Sequence, residues 1–186
     1  MYHIKPDKRS RDSAAEIVRG LEVCLGSMPL NAVTISDIHR ATGISRSTIY
    51  RLFDTPEDIL LYRFDQLAES SEERILSDPQ RLLENMISVG MEQHEFLKMV
   101  IDNGRLDLIF RYTESNFRKM DAKYGIFPES LLREERDHIM SQLAMNLAGS
   151  IISWSRSGKR GTVSGEIRFL KSYVRILTEL LPEKME

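Results

Sequence analysis

The stretch from Thr34 to Phe53, TISDIHRATGISRSTIYRLF, constrains the fold of this chain more than any other. It reads as two short helices joined by a tight turn. Thr34 stands just ahead of Ile35, Ile38 and Ala41, which fall at helical spacing. Its hydroxyl can accept from a free backbone N–H of the first turn, so it is the expected N-cap. Gly43 follows where that helix must stop, and glycine takes up a positive φ without steric cost. Ser45 can then cap a second helix whose apolar side is Ile49, Leu52 and Phe53. The other side carries Arg46, Ser47, Thr48, Tyr50 and Arg51. A helix that enters a major groove needs such side chains at its N-terminal end, to reach base edges and phosphates. Two solvated surface helices would show the same spacing, so the flanking sequence has to decide.

Lys5, Lys8, Arg9 and Arg11 crowd the start of the chain. They fit either a frayed, solvated terminus or an arm that neutralises phosphates or enters a minor groove. Pro6 suits an extended arm. A first helix is expected from about Ser10 to Ser27, with Ala14, Ile17, Val18, Leu21, Cys24, Leu25 and Met28 on one broad apolar face. Cys24 on that face reads as core. Gly26 and Pro29 end the helix. After the two short helices, Asp54 to Asp58 form a helix start. Thr55 is the expected cap, Pro56 takes the first helical position, and the acids suit the helix dipole. That helix should run to about Ser77.

Over about residues 10 to 65 this succession resembles the DNA-binding domain of the tetracycline-repressor (TetR/AcrR) family of transcription regulators. The resemblance implies an all-α fold. A three-helix helix-turn-helix DNA-binding domain would occupy residues 1–54, and a helical effector-binding and dimerisation domain residues 55–186. It implies a homodimer on double-stranded DNA with a palindromic operator, most often a repressor released by a small hydrophobic effector. Carried onto this chain, the DNA-binding residues are Thr34, Ser45, Arg46, Ser47, Thr48, Tyr50 and Arg51. Arg46 and Thr48 are expected on base edges and the others mainly on phosphates. Two positions depart from the family's pattern. His39 stands four residues before Gly43, where a small residue is usual because the second helix crosses closely. It either points outward or the helices sit slightly apart. Pro56 stands where a lysine commonly meets a phosphate, leaving the backbone N–H groups of that helix end to do so.

At 186 residues the chain fits one mid-sized unit or two small ones. Hydrophobic residues at 41% and charged residues at 29% are those of an ordinary globular protein. Cys24 is the single cysteine, which excludes an intrachain disulfide and suits a reducing cytoplasm. Apolar runs are too short for a bilayer, and the polar stretch Tyr2 to Arg11 is no signal peptide, so a cytoplasmic location is expected. A net charge of −2 alone argues against unspecific nucleic-acid binding. Its distribution has the opposite sense, because residues 1–55 hold eight Lys/Arg against six Asp/Glu. No phosphate-binding glycine loop, nucleophile elbow, paired-cysteine site or HExxH occurs, so no enzyme, metal or cofactor is expected. His94 and His138, with acids beside them, read as solvated helix surface.

Beyond Asp78 and Pro79 the pattern predicts helices over Pro79–Glu92, His94–Asp102, Leu106–Lys123, Pro128–Arg156 and Ser164–Leu181, with a basic, glycine-containing loop from Ser157 to Val163. Met86, Phe96, Met99, Phe110, Phe117 and Met140 either line a pocket for a hydrophobic effector or form a packed core. Ala144, Met145, Leu147, Ala148, Gly149, Ile151 and Ile152 make the long helix apolar around much of its circumference. It is either wholly internal or covered by its own chain on one side and a second subunit on the other. The last two helices resemble the family's dimerisation pair. Induction would run through the helix from Pro56 to Ser77. The competing expectation is a helical ligand-binding or protein-interaction module that has lost DNA binding.

Overall fold

Helical periodicity and strong caps dominate the sequence, and the computed structural model is built accordingly. It describes residues 1–156 and 161–180. Among them are nine α helices: α1 (Lys8–Leu25), α2 (Ile35–Thr42), α3 (Arg46–Leu52), α4 (Pro56–Ile75), α5 (Leu82–Glu92), α6 (His94–Asp102), α7 (Leu106–Tyr124), α8 (Arg133–Arg156) and α9 (Val163–Leu180). The described extended pairing is a single antiparallel bridge between Tyr2 and Phe53. The fold class is all-α. The chain divides into two compact units, residues 1–70 and 71–186, with the division inside α4.

In the first unit α1 starts at Lys8, ahead of the expected Ser10, because the Asp7 carboxylate accepts the Ser10 N–H at 2.9 Å and caps the helix there. Ala14, Ile17, Val18, Leu21 and Cys24 are buried along its inner face. α2 begins with a complete capping box. The Asp37 N–H donates to the Thr34 hydroxyl at 3.3 Å, and the Thr34 N–H and hydroxyl donate to Asp37 Oδ2 at 3.0 and 2.5 Å. These Thr34 donors hold the Asp37 carboxyl below the usual carboxylate range. Gly43 closes α2 at φ 71°, its N–H on the His39 carbonyl at 2.8 Å. α1 and α2 cross at Gly20, where a Cβ would stand 2.2 Å from Thr42 Cγ2 and 3.4 Å from Ile38 Cγ2. Only a residue without a side chain lets the helices come this close.

In the second unit the expected helix from Pro79 splits. Asp78 accepts the Gln80 N–H at 2.8 Å, a single 3-10 turn covers Pro79–Arg81, and α5 follows from Leu82. The long helix expected from Pro128 starts instead at Arg133. The Leu131 N–H closes a turn on the Pro128 carbonyl, which also accepts from Arg136 Nη2 at 3.2 Å. Glu135 reaches back to accept the Leu132 N–H at 2.8 Å and caps α8 one turn later. α5 to α8 pack together and bury Met86, Ile87, Val100, Ile109, Met120, Ala144 and Leu147. Gly90 lets α5 approach α8, where a Cβ would stand 2.8 Å from Ile151 Cδ1. α9 lies against α5 and α8. Most of the expected basic loop, residues 157–160, and the last residue of the expected final helix, Leu181, lie outside the described residues.

Candidate nucleic-acid interface

α3 is short and positioned by its ends. Ser45 Oγ accepts the Thr48 N–H at 3.2 Å and caps it. Ile49 and Leu52 are buried beneath it, and Phe53 is fully buried where it ends. With that side inward, Arg46, Ser47, Tyr50 and Arg51 face solvent, Tyr50 at 57% exposure. Neither guanidinium is engaged by another described residue. Thr48 is half-buried, its hydroxyl 2.9 Å from Ser45 Oγ, which also lies 3.1 Å from Ser47 Oγ. Ser45 and Thr34 therefore use their hydroxyls first as caps. Arg46, Tyr50 and Arg51 are the residues of the expected set whose polar groups have no commitment within the described chain.

His39 is neither turned outward nor wedged between helices. The half-buried ring folds back onto the turn, and Nδ1 donates to the Ile44 carbonyl at 2.8 Å. Thr42 braces the same turn, donating to the Ile38 carbonyl at 2.8 Å and accepting the Ile44 N–H at 3.2 Å. A large residue is accommodated at 39 because its ring lies over the turn, bonded to the Ile44 carbonyl.

The start of the chain differs from a free arm. The His3 N–H donates to the Leu52 carbonyl at 2.8 Å, and Tyr2 pairs with Phe53. The Tyr2 hydroxyl donates to Asp65 Oδ2 at 2.6 Å, while its ring meets Tyr62 edge-on with centroids 5.2 Å apart. The Asp65 carboxylate, helped by burial, pushes the Tyr2 phenol up to about 12. Residues 1–3 thus strap the end of α3 to α4. Lys5, Lys8 and Arg9 remain exposed. Nothing local in sequence marks this strap, since each contact joins residues far apart along the chain.

The start of α4 is also more closed than expected. The Thr55 N–H and hydroxyl donate to Asp58 Oδ2 at 2.9 and 2.8 Å, and the Asp58 N–H returns to the Thr55 hydroxyl at 3.2 Å. The Met1 amino group sits 2.7 Å from Asp58 Oδ1 and 3.1 Å from Asp54 Oδ2. Pro56 has no N–H to offer, and Asp54, Glu57 and Asp58 make this end acidic.

Of the residues expected near an effector, Met86, Phe96, Phe117 and Met140 are buried and Met99 and Phe110 half-buried. They stand on α5 to α8. None lines the described cavity of about 640 Å³, which opens between α8 and α9 around Trp154, Glu166, Phe169 and Tyr173. Glu166 was missed in sequence because an acid in the first turn of a helix reads as ordinary dipole complementation. No helix among the described residues is long and apolar enough to cross a membrane.

No protein-family model matches the chain, and no curated protein matches its sequence. Solved structures do share its fold. Lin0861 from Listeria innocua superposes with a TM-score of 0.75 at 11% identity, covering 94% of this chain and 96% of that one. NalD, the secondary repressor of the MexAB-OprM multidrug efflux pump in Pseudomonas aeruginosa, gives 0.59 at 15% identity, over 91% and 97% of the two chains. The fatty acid degradation regulator FadR from Bacillus halodurans gives 0.57 at 15%, over 88% and 93%. At these identities the likeness is one of fold alone.

Proposed function

We propose that this protein is a sequence-specific DNA-binding transcriptional regulator, a dimeric cytoplasmic repressor released by a small-molecule effector. Residues 1–54 serve as the DNA-binding head and residues 55–186 as the effector and dimerisation body. One observation carries the reading: α3 buries only Ile49 and Leu52 and leaves Arg46, Ser47, Tyr50 and Arg51 exposed to solvent. In this reading Arg46 and Thr48 read base edges, while Thr34, Ser45, Ser47, Tyr50 and Arg51 fix the head on phosphates. The shared fold with NalD and FadR, a named repressor and a named regulator, supports it.

Dimerisation is supported by α8 and α9. Met145, Phe169, Tyr173, Val174, Ile176 and Leu177 are exposed there, Phe169 at 68% and Val174 at 59%. An apolar surface of this extent calls for a cover, and a second copy would supply it. Two copies of α3 would then meet half-sites one helical turn, roughly 34 Å, apart on a palindromic operator.

The test is salt-dependent binding of the purified protein to fragments selected from genomic DNA. Arg46→Ala should relax sequence preference, with a loss of discrimination of about 1–3 kcal/mol at one base pair. Tyr50→Phe should weaken all sites alike, by roughly fivefold for one lost hydrogen bond. If neither change alters binding, the docking of α3 is wrong. The competing function is a helical ligand-binding or interaction module without DNA. It is favoured by the acids that close the start of α4. Indifference to DNA at low salt would establish it.

A further inference from the structure

α3 is held unevenly, and its less anchored end carries the residues assigned to base edges. Its buried residues, Ile49 and Leu52, lie at its middle and at its far end. Phe53 is fully buried just beyond, and the His3 N–H holds the Leu52 carbonyl at 2.8 Å. The near end has no such packing: Arg46 and Ser47 are exposed and Thr48 is half-buried. A seven-residue helix is roughly 10 Å long. A swing of about 10° about the packed end would carry the near end about 2 Å. A hydrogen bond to a base edge tolerates a spread of only about 0.5 Å.

What fixes the near end is the turn, and α2 grips the turn with two side chains. Ile44 belongs to neither helix, so its N–H and carbonyl have no place in a helical ladder. Thr42 Oγ1 accepts the Ile44 N–H at 3.2 Å, and His39 Nδ1 donates to the Ile44 carbonyl at 2.8 Å. The His39 carbonyl also accepts the Gly43 N–H at 2.8 Å. Residue 39 therefore holds two successive residues, one through its backbone and one through its ring. A carbonyl oxygen only accepts, so the ring must carry a proton on Nδ1. Packing offers the turn no support at Gly43, where no atom lies within 4 Å of a Cβ position. A small side chain at 39 would leave the Ile44 carbonyl without this bond.

We propose that His39 is the positioning residue of the DNA-reading helix: its bond to the Ile44 carbonyl sets the angle at which α3 leaves α2 and so places Arg46 and Thr48 against base edges. The inference deepens the DNA reading above and rests on it for its consequence, whereas the angle itself is a property of the free protein.

The full-length parent is compared with His39→Ala, which removes the donor, and His39→Asn, whose side-chain N–H stands where Nδ1 stood. Residual dipolar couplings of the α2 and α3 amides give the angle between the helices. Parent and His39→Asn should agree, and α3 of His39→Ala should be tilted or spread over several orientations. Imidazole nitrogen shifts of the parent, read at mildly alkaline pH, should show the His39 proton on Nδ1. On DNA fragments selected by the parent, His39→Ala should bind roughly fivefold more weakly, the worth of one hydrogen bond, and His39→Asn within about twofold of the parent. Affinity for unrelated DNA at low salt should be the same in all three, because the charges that meet phosphates are unchanged. A role in stability alone would lower both affinities together. The parent's helix angle in His39→Ala, a proton on Nε2 alone, or no rescue by His39→Asn would overturn the assignment. Should His39→Ala fail to fold, the tautomer and the helix angle of His39→Asn still decide it. A parent indifferent to DNA would refute the regulator reading, and the helix angle would then judge His39 by itself.

Discussion

The crossing of α1 over α2 makes one quantitative demand. In Gly20→Ala the new Cβ falls 2.2 Å from Thr42 Cγ2, roughly 1.5 Å inside an optimal carbon–carbon contact. Two responses are open. The helices can separate, at an overpacking cost of about 1–3 kcal/mol. Alternatively Thr42 can rotate, losing its hydroxyl bonds to the Ile38 carbonyl and from the Ile44 N–H, each worth about 1 kcal/mol. Against either stands the gain of about 0.5–1 kcal/mol from replacing a glycine inside a helix by alanine. Gly20→Ala should therefore destabilise the first unit by about 1–2 kcal/mol. Thr42→Ser removes Cγ2 and keeps the hydroxyl, and the next contact, Ile38 Cγ2 at 3.4 Å, is tolerable. In that background Gly20→Ala should be neutral or mildly stabilising, giving a coupling of about 2 kcal/mol in the double-mutant cycle. Because the chain has two units, hydrogen exchange at the α2 amides, which reads the first unit alone, should accompany urea denaturation. The same penalty with and without Thr42→Ser, or no penalty in either, would refute the close crossing.

Other outcomes follow from the same geometry. Gly43→Ala meets no atom within 4 Å but keeps φ near 71°, so it should cost about 1–2 kcal/mol of pure backbone strain. Gly43→Asn should cost less, and equal costs would exclude strain as the cause. Thr34→Ala removes a cap and should lower stability by about 1 kcal/mol. The Asp37 pKa is depressed in the fold, so its contribution is present above the unfolded value of about 4 and is lost as pH falls through the folded one. Urea midpoints below pH 4 should therefore drop in the parent and change less with pH in Asp37→Asn. Tyr2→Phe removes the hydroxyl from Asp65 and should speed exchange at the His3 amide, which is bonded to Leu52. Unchanged exchange would mean that the strap is held by its backbone bridge alone.

Where the determining chemistry was local, it was legible in the residues. Thr34, Gly43, Ser45 and Thr55 mark their helix ends because caps and turns are decided within four residues. The bounds of α6, His94–Asp102, are those its periodicity predicts. The inward turn of Ile49 and Leu52 follows from helical spacing alone. The late start of α8 was not legible, since Pro128 opens a turn that Arg136 and Glu135 then hold.

What the sequence determined by itself is an all-helical chain with a two-helix turn that turns one apolar side in and one polar side out. Tertiary structure alone decided that His39 closes that turn, that residues 1–3 are strapped across Phe53 to Asp65, and that the Glu166 carboxyl lies buried between α8 and α9. Caps and periodicity act over one or two turns, whereas burial of a charge or docking of a terminus depends on which distant residues the packing brings together.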